Sequence, residues 1–69
     1  MTTIDQALLL ELDLHPRSTA EELSGYLRGE APLGAVLRWL TTHEGWLVVR
    51  DAMRWRLSAN GERFLAALD

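Results

Sequence analysis
At Gly45 the hydrophobic period of this 69-residue chain changes. Before it, apolar residues recur every three or four positions: Ile4, Ala7, Leu8 and Leu12, then Leu23, Tyr26 and Leu27, then Leu33, Val36, Leu37 and Leu40. That spacing gathers side chains on one face of a helix. After it, Trp46-Leu47-Val48-Val49-Arg50 and Arg54-Trp55-Arg56-Leu57 are β-branched, aromatic and alternating, which is the period of a strand. Asp51-Ala52-Met53 separates the two runs, so they predict a β-hairpin. Ser58 then caps a last helix that carries Gly61, Phe64, Leu65 and Leu68. The predicted fold is α+β, mostly α, with three helices, a hairpin and a C-terminal helix in a single domain over residues 1–69.

Local signals place the boundaries. Thr3 and Gln6 have capping-box spacing at the start of the first helix. His15-Pro16 ends it, because the residue before a proline is pushed out of the helical region. Ser18 with Glu21, and Thr19 with Glu22, both match a capping box for the second helix, which ends near Arg28-Gly29. Pro32 suits the first turn of a third helix that runs to about His43, and Gly45 stops it.

Size and composition exclude several classes of function. With no cysteine, the chain has neither a disulfide framework nor a thiolate metal site, in keeping with a reducing cytoplasm. No apolar run approaches the roughly 20 residues needed to span a bilayer, and the first residues lack a signal-peptide layout. The expected protein is cytoplasmic, with no membrane contact. His15 and His43 stand apart, without metal-ligand spacing or a neighbouring nucleophile, and the glycines form no phosphate loop. No catalytic residue, metal or cofactor is therefore expected, and the chain does not read as an enzyme. The net charge of −3 is the wrong sign for a generic DNA binder, but its distribution is uneven. Residues 1–44 hold three arginines against seven acids, and residues 45–69 hold four against three.

Three stretches carry a family resemblance. Ser18-Thr-Ala-Glu-Glu-Leu23 resembles the opening of the helix before the turn in a helix-turn-helix. Leu37-Arg38-Trp39-Leu40 through Gly45-Trp46-Leu47-Val48 looks like the end of a recognition helix entering a wing. Arg54-Trp55-Arg56-Leu57-Ser58-Ala59-Asn60-Gly61-Glu62-Arg63-Phe64-Leu65 resembles the aromatic-Arg-Leu-Thr-x-x-Gly segment of MarR-like and PadR-like regulators. The resemblance implies a winged helix-turn-helix that binds double-stranded DNA as a transcriptional regulator, with the third helix in the major groove and the hairpin against the backbone.

On the third helix, taking Leu33, Val36, Leu37 and Leu40 as the core face leaves Ala35, Arg38 and Thr42 outward, with Gly34, Trp39 and Thr41 on the flanks. Arg38 can contact guanine, while Gly34 and Ala35 let the backbone approach the groove. Two hairpin registers are open. A three-residue loop sets Arg50 opposite Arg54, turns Leu47, Val49, Trp55 and Leu57 inward, and puts Arg50, Arg54 and Arg56 on one outer face suited to phosphate. A two-residue Asp51-Ala52 loop turns Trp46 and Val48 inward, leaves Leu47 and Val49 outside, and favours a protein partner. The candidate DNA-binding residues are thus Gly34, Ala35, Arg38, Trp39, Thr42, Arg50, Arg54 and Arg56. The three tryptophans are otherwise expected in or beside the core. A homodimer is expected through the first and last helices by way of Leu9, Leu10, Leu65 and Leu68. The alternative function is a protein–protein interaction module that does not bind DNA; a positive strip from Arg38 to Arg54 and Arg56 would favour DNA, and an apolar patch there a protein.

Overall fold
The computed structural model describes residues 3–68, and the Thr3 hydroxyl cap expected above lies outside the side chains it describes. The described residues form four helices and a three-stranded antiparallel sheet, an α+β fold that is mostly helical. In chain order these are α1 (Thr3–Leu14), β1 (Ser18–Thr19), α2 (Ala20–Tyr26), α3 (Leu33–His43), β2 (Val48–Asp51), β3 (Arg54–Leu57) and α4 (Ala59–Ala67). No helix among the described residues is long and apolar enough to cross a membrane.

Between α1 and α2 the chain does more than turn. Arg17 adopts a left-handed φ of 66°, and Ser18 and Thr19 then pair with Trp55 and Arg54 as a short edge strand, giving the sheet order β1-β3-β2. Two residues are too few for an alternating pattern, so this strand has no signature of its own in the sequence. It also decides between the two capping boxes. Ser18 is buried and donates its hydroxyl to the His15 carbonyl, while Thr19 caps α2 in a reciprocal pair with Glu22. Helix α2 ends at Tyr26, short of the expected Arg28, because Arg28 and Gly29 both take left-handed conformations.

One core joins the layers. Leu8, Leu9 and Leu12 of α1, Leu23 and Leu27 around α2, Val36, Trp39 and Leu40 of α3, and Leu47, Val48, Trp55 and Leu57 of the hairpin segment are buried together. Phe64, Leu65 and Leu68 close it from the α4 side. Tyr26, expected inside, is exposed and stacks on His15 with ring centroids 4.1 Å apart. Leu9, expected on a dimer surface, is fully buried.

Where α4 starts, the packing leaves no room for a side chain. Ser58 accepts from the Gly61 amide at 3.0 Å and donates to the Trp46 carbonyl, while its own amide donates to Leu47 O at 3.0 Å. A Cβ on Gly61 would fall on that same Leu47 carbonyl oxygen. Glycine is required here by close approach of backbone to backbone, its φ being ordinary.

Candidate nucleic-acid interface
Helix α3 is rotated from its expected orientation. Leu33 and Leu37, assigned to the core by spacing, are 39% and 42% exposed, whereas Trp39 is only 7% exposed. The buried stripe is Val36, Trp39 and Leu40, with His43 half-buried one turn on. The cause is the size and polarity of Trp39. Its indole covers more apolar area than a leucine, and its N–H donates to the Asp5 carboxylate on α1, so one side chain is both buried and satisfied. Both Leu and Trp spacings fit a helix, and pattern alone could not rank them.

The rotation redraws the outward face. Gly34, Leu37, Arg38 and Thr41 fall at i, i+3, i+4 and i+7 and are exposed, with Leu33 beside them. Of the residues expected to meet DNA, Gly34 and Arg38 are on this face. Thr42 is exposed at its margin, where with half-buried Ala35 it lines a shallow groove shared with Ile4, Trp39 and His43. Trp39 is withdrawn from the surface, and its only donor is used. The hydroxyls of Thr41 and Thr42 donate to the carbonyls of Leu37 and Arg38, leaving each oxygen free to accept.

Neither proposed hairpin register is adopted. The ladder pairs Asp51 with Arg54, Arg50 with Trp55, Val49 with Arg56 and Val48 with Leu57, so the loop is Ala52-Met53. Directly paired residues share a face of the sheet. Val48, Trp55 and Leu57 therefore turn inward with Arg50 on the same side, while Val49, Arg54 and Arg56 share the other. The expected three-arginine face does not form. Leu47 is buried as well, in apparent breach of alternation, because it belongs to a turn and not to the ladder. Its amide and that of Trp46 both donate to the His43 carbonyl. Trp46 is left exposed, against expectation, stacking on His43 and meeting Phe64 edge-to-face.

The arginines differ in what they already hold. Arg50 lies 3.8 Å from Glu44 and 5.6 Å from the centroid of the Trp55 ring. Arg54 pairs with Glu22 at 3.2 Å and donates to Arg17 O at 2.8 Å, and Arg17 in turn reaches Asp51 at 3.4 Å. The carboxyl of Glu22 is held below its ordinary value, first by the Thr19 backbone N–H it accepts, which outweighs the opposing effect of desolvation, and then by the charge of Arg54. Arg38 and Arg56 form no ion pair among the described residues. Exposed pairs such as those of Arg50 and Arg54 contribute little and exchange readily, but their carboxylates stay in place and oppose an incoming phosphate.

Two long-range pairings had no legible signal: Asp5 meets Trp39 through α1–α3 packing, and Glu22, legible only as the partner of Thr19, meets Arg54 through the β1–β3 pairing. Met53 is exposed at the hairpin tip because of the register, and with Leu37, Arg50, Trp55, Ala20 and Glu21 it lines a groove between the hairpin and the α2–α3 pair. No group of three or more His, Asp or Glu that could hold a metal ion exists among the described residues. Comparison with protein-family models, curated proteins and solved structures finds no match to the chain.

Proposed function
We propose that the chain is a winged helix-turn-helix domain that binds double-stranded DNA, with α3 entering the major groove and the β2–β3 hairpin serving as the wing. The observation that carries this reading is the uncovered face of α3. Gly34, Leu37, Arg38 and Thr41 are exposed along it, beside a hairpin, in the element order that the resemblance to MarR-like and PadR-like regulators implies. Arg38, without an ion pair among the described residues, is the base-reading side chain, with the bidentate geometry that suits guanine. Gly34 has nothing near the place its Cβ would occupy, so the backbone can approach the groove edge there. Arg56 contacts phosphate directly, and Arg50 and Arg54 do so by exchanging Glu44 and Glu22 for it. With a net charge of −3, binding is modest in affinity and steep in salt.

A second reading is favoured by one observation. Leu33, Leu37 and Met53 are exposed on the same side as Arg38 or at the hairpin tip, where a purely electrostatic surface has no use for them. A winged helix whose partner is another protein accounts for that apolar area, and the scaffold itself does not choose between the two.

Fluorescence anisotropy of a short mixed-sequence duplex separates the readings. The wild type is expected to bind at low salt, with log K falling against log salt at a slope of about −3. Arg38→Ala/Arg56→Ala should weaken binding through both losses and reduce that slope by about 1, because only Arg56 of the pair meets phosphate, while Leu33→Ala should leave the slope unchanged. Absence of binding by the wild type at low salt rejects the DNA reading and leaves the protein partner.

A further inference from the structure
Helices α1 and α4 pack side by side and leave a groove of about 250 Å³ between them, lined by Leu10, Asp13, Glu62, Leu65 and Ala66. It shares no lining residue with the α3–hairpin face. Both helices contribute the same spacing. Leu10, Asp13 and Leu14 lie at i, i+3 and i+4 on α1, and Glu62, Leu65 and Ala66 do so on α4, so each presents apolar side chains with one carboxylate among them. Leu10 is 50% and Leu14 68% exposed, a strip of large aliphatic surface that the fold leaves open.

The charged residues that line the groove, Asp13 and Glu62, are of one sign. Asp13 and Glu62 form no ion pair among the described residues. Arg63, next in sequence to Glu62, does not line the groove and donates to the Asn60 side-chain oxygen. A groove with a leucine floor and a free carboxylate on each wall is complementary to a helix that carries aliphatic residues on one face and lysines or arginines at its flanks. We propose that the α1–α4 groove docks a short basic amphipathic helix of a partner protein, its aliphatic face between Leu10 and Leu65 and its cations on Asp13 and Glu62. A second copy of this chain is the poorer occupant. A two-fold contact through this surface would bring the carboxylates of both copies together, and Leu9 adds nothing to the apolar area because it is inside the core. An anionic membrane is opposed by the same carboxylates.

The test is a titration of the isotope-labelled whole chain with a 14-residue amidated peptide of leucine and lysine in amphipathic register, followed by amide NMR shifts; a leucine–glutamate peptide of the same pattern is the control. Shifts are expected at Leu10, Asp13, Leu14, Glu62, Leu65 and Ala66 with the basic peptide and not with the acidic one. Asp13→Asn/Glu62→Gln, which keeps side-chain shape at exposed sites, should weaken binding about tenfold, and Leu10→Ser should weaken it while the urea midpoint stays near that of the wild type. Shifts centred on α3 and the hairpin, equal binding of the acidic peptide, or unchanged affinity in the Asn/Gln variant would overturn the proposal. So would sedimentation of the free chain as a dimer whose interface is disrupted by Leu10→Ser, which would make the second copy the occupant. None of these outcomes depends on whether DNA is bound.

Discussion

At the first turn of α4, the Ser58 hydroxyl, the Gly61 amide and the carbonyls of Trp46 and Leu47 are joined to one another; along the outward face of α3, Leu33, Leu37 and Arg38 are held out to solvent. The first region is over-determined, since one residue supplies a helix cap, a clamp on the preceding turn and the spacing that admits only glycine three residues later. The second is under-determined by folding. Val36, Trp39 and Leu40 already seat α3 on the core, so nothing about stability dictates what lies on its other side. Large aliphatic side chains in such a place stabilise the fold little and are better explained by what they touch outside the chain.

The sharpest way to break the contrast is Gly61→Ala. A methyl group driven onto the Leu47 carbonyl must displace α4 or the hairpin, and the expected cost exceeds about 3 kcal/mol. For a chain this small that is a large share of total stability, so urea titration should show a mostly unfolded variant. An unchanged midpoint would mean that α4 can shift freely. Two leucines one turn apart on α3, one buried and one at the edge of the exposed face, come next: Leu40→Ala, at a fully buried site, should cost about 2–5 kcal/mol, and Leu37→Ala about 0.5 kcal/mol or less. Similar costs for both would restore the orientation that the leucine spacing suggests. Ser58→Ala removes the cap of α4 and its bond to Trp46 O, with an expected loss of about 1–2 kcal/mol in the same titration.

The smallest effect concerns pH. Because the folded state holds Glu22 below its ordinary value near 4.5, its contribution is fully present above that pH and is lost as pH falls through the lower, folded value. Glu22→Gln should therefore show a shallower decline in thermal midpoint than the wild type over the acid range below about pH 4.5. Identical acid limbs would remove the Thr19–Glu22–Arg54 contact from the stability of the fold.

Much of the architecture was legible because it rests on local rules. The change of period at Gly45, the stop at His15-Pro16, the Thr19–Glu22 box and the Ser58 cap are decided within a few residues, and the structure keeps each of them. The candidate site was less legible because it depends on two quantities that are not local. The rotation of α3 is set by whether Trp39 can find Asp5, 34 residues away. The hairpin register is set by Leu47, which packs in the core from a turn and so frees Val48 to begin the ladder opposite Leu57. Shifting that register by one residue exchanges the faces, which is why Arg50 and Arg54 end on opposite sides. Arg38 is outward under either rotation, and Gly34 moves from the flank of the expected face toward the middle of the observed one.

The double role of Ser58 also bears on how the molecule opens. Its hydroxyl caps α4 while gripping Trp46 O, and its amide grips Leu47 O, so fraying of the last helix and release of the segment leading into the hairpin are one event. The C-terminal third of the chain therefore behaves as a single cooperative unit. A force or a ligand that loosens the hairpin is transmitted to α4, and with it to one wall of the groove that α4 shares with α1.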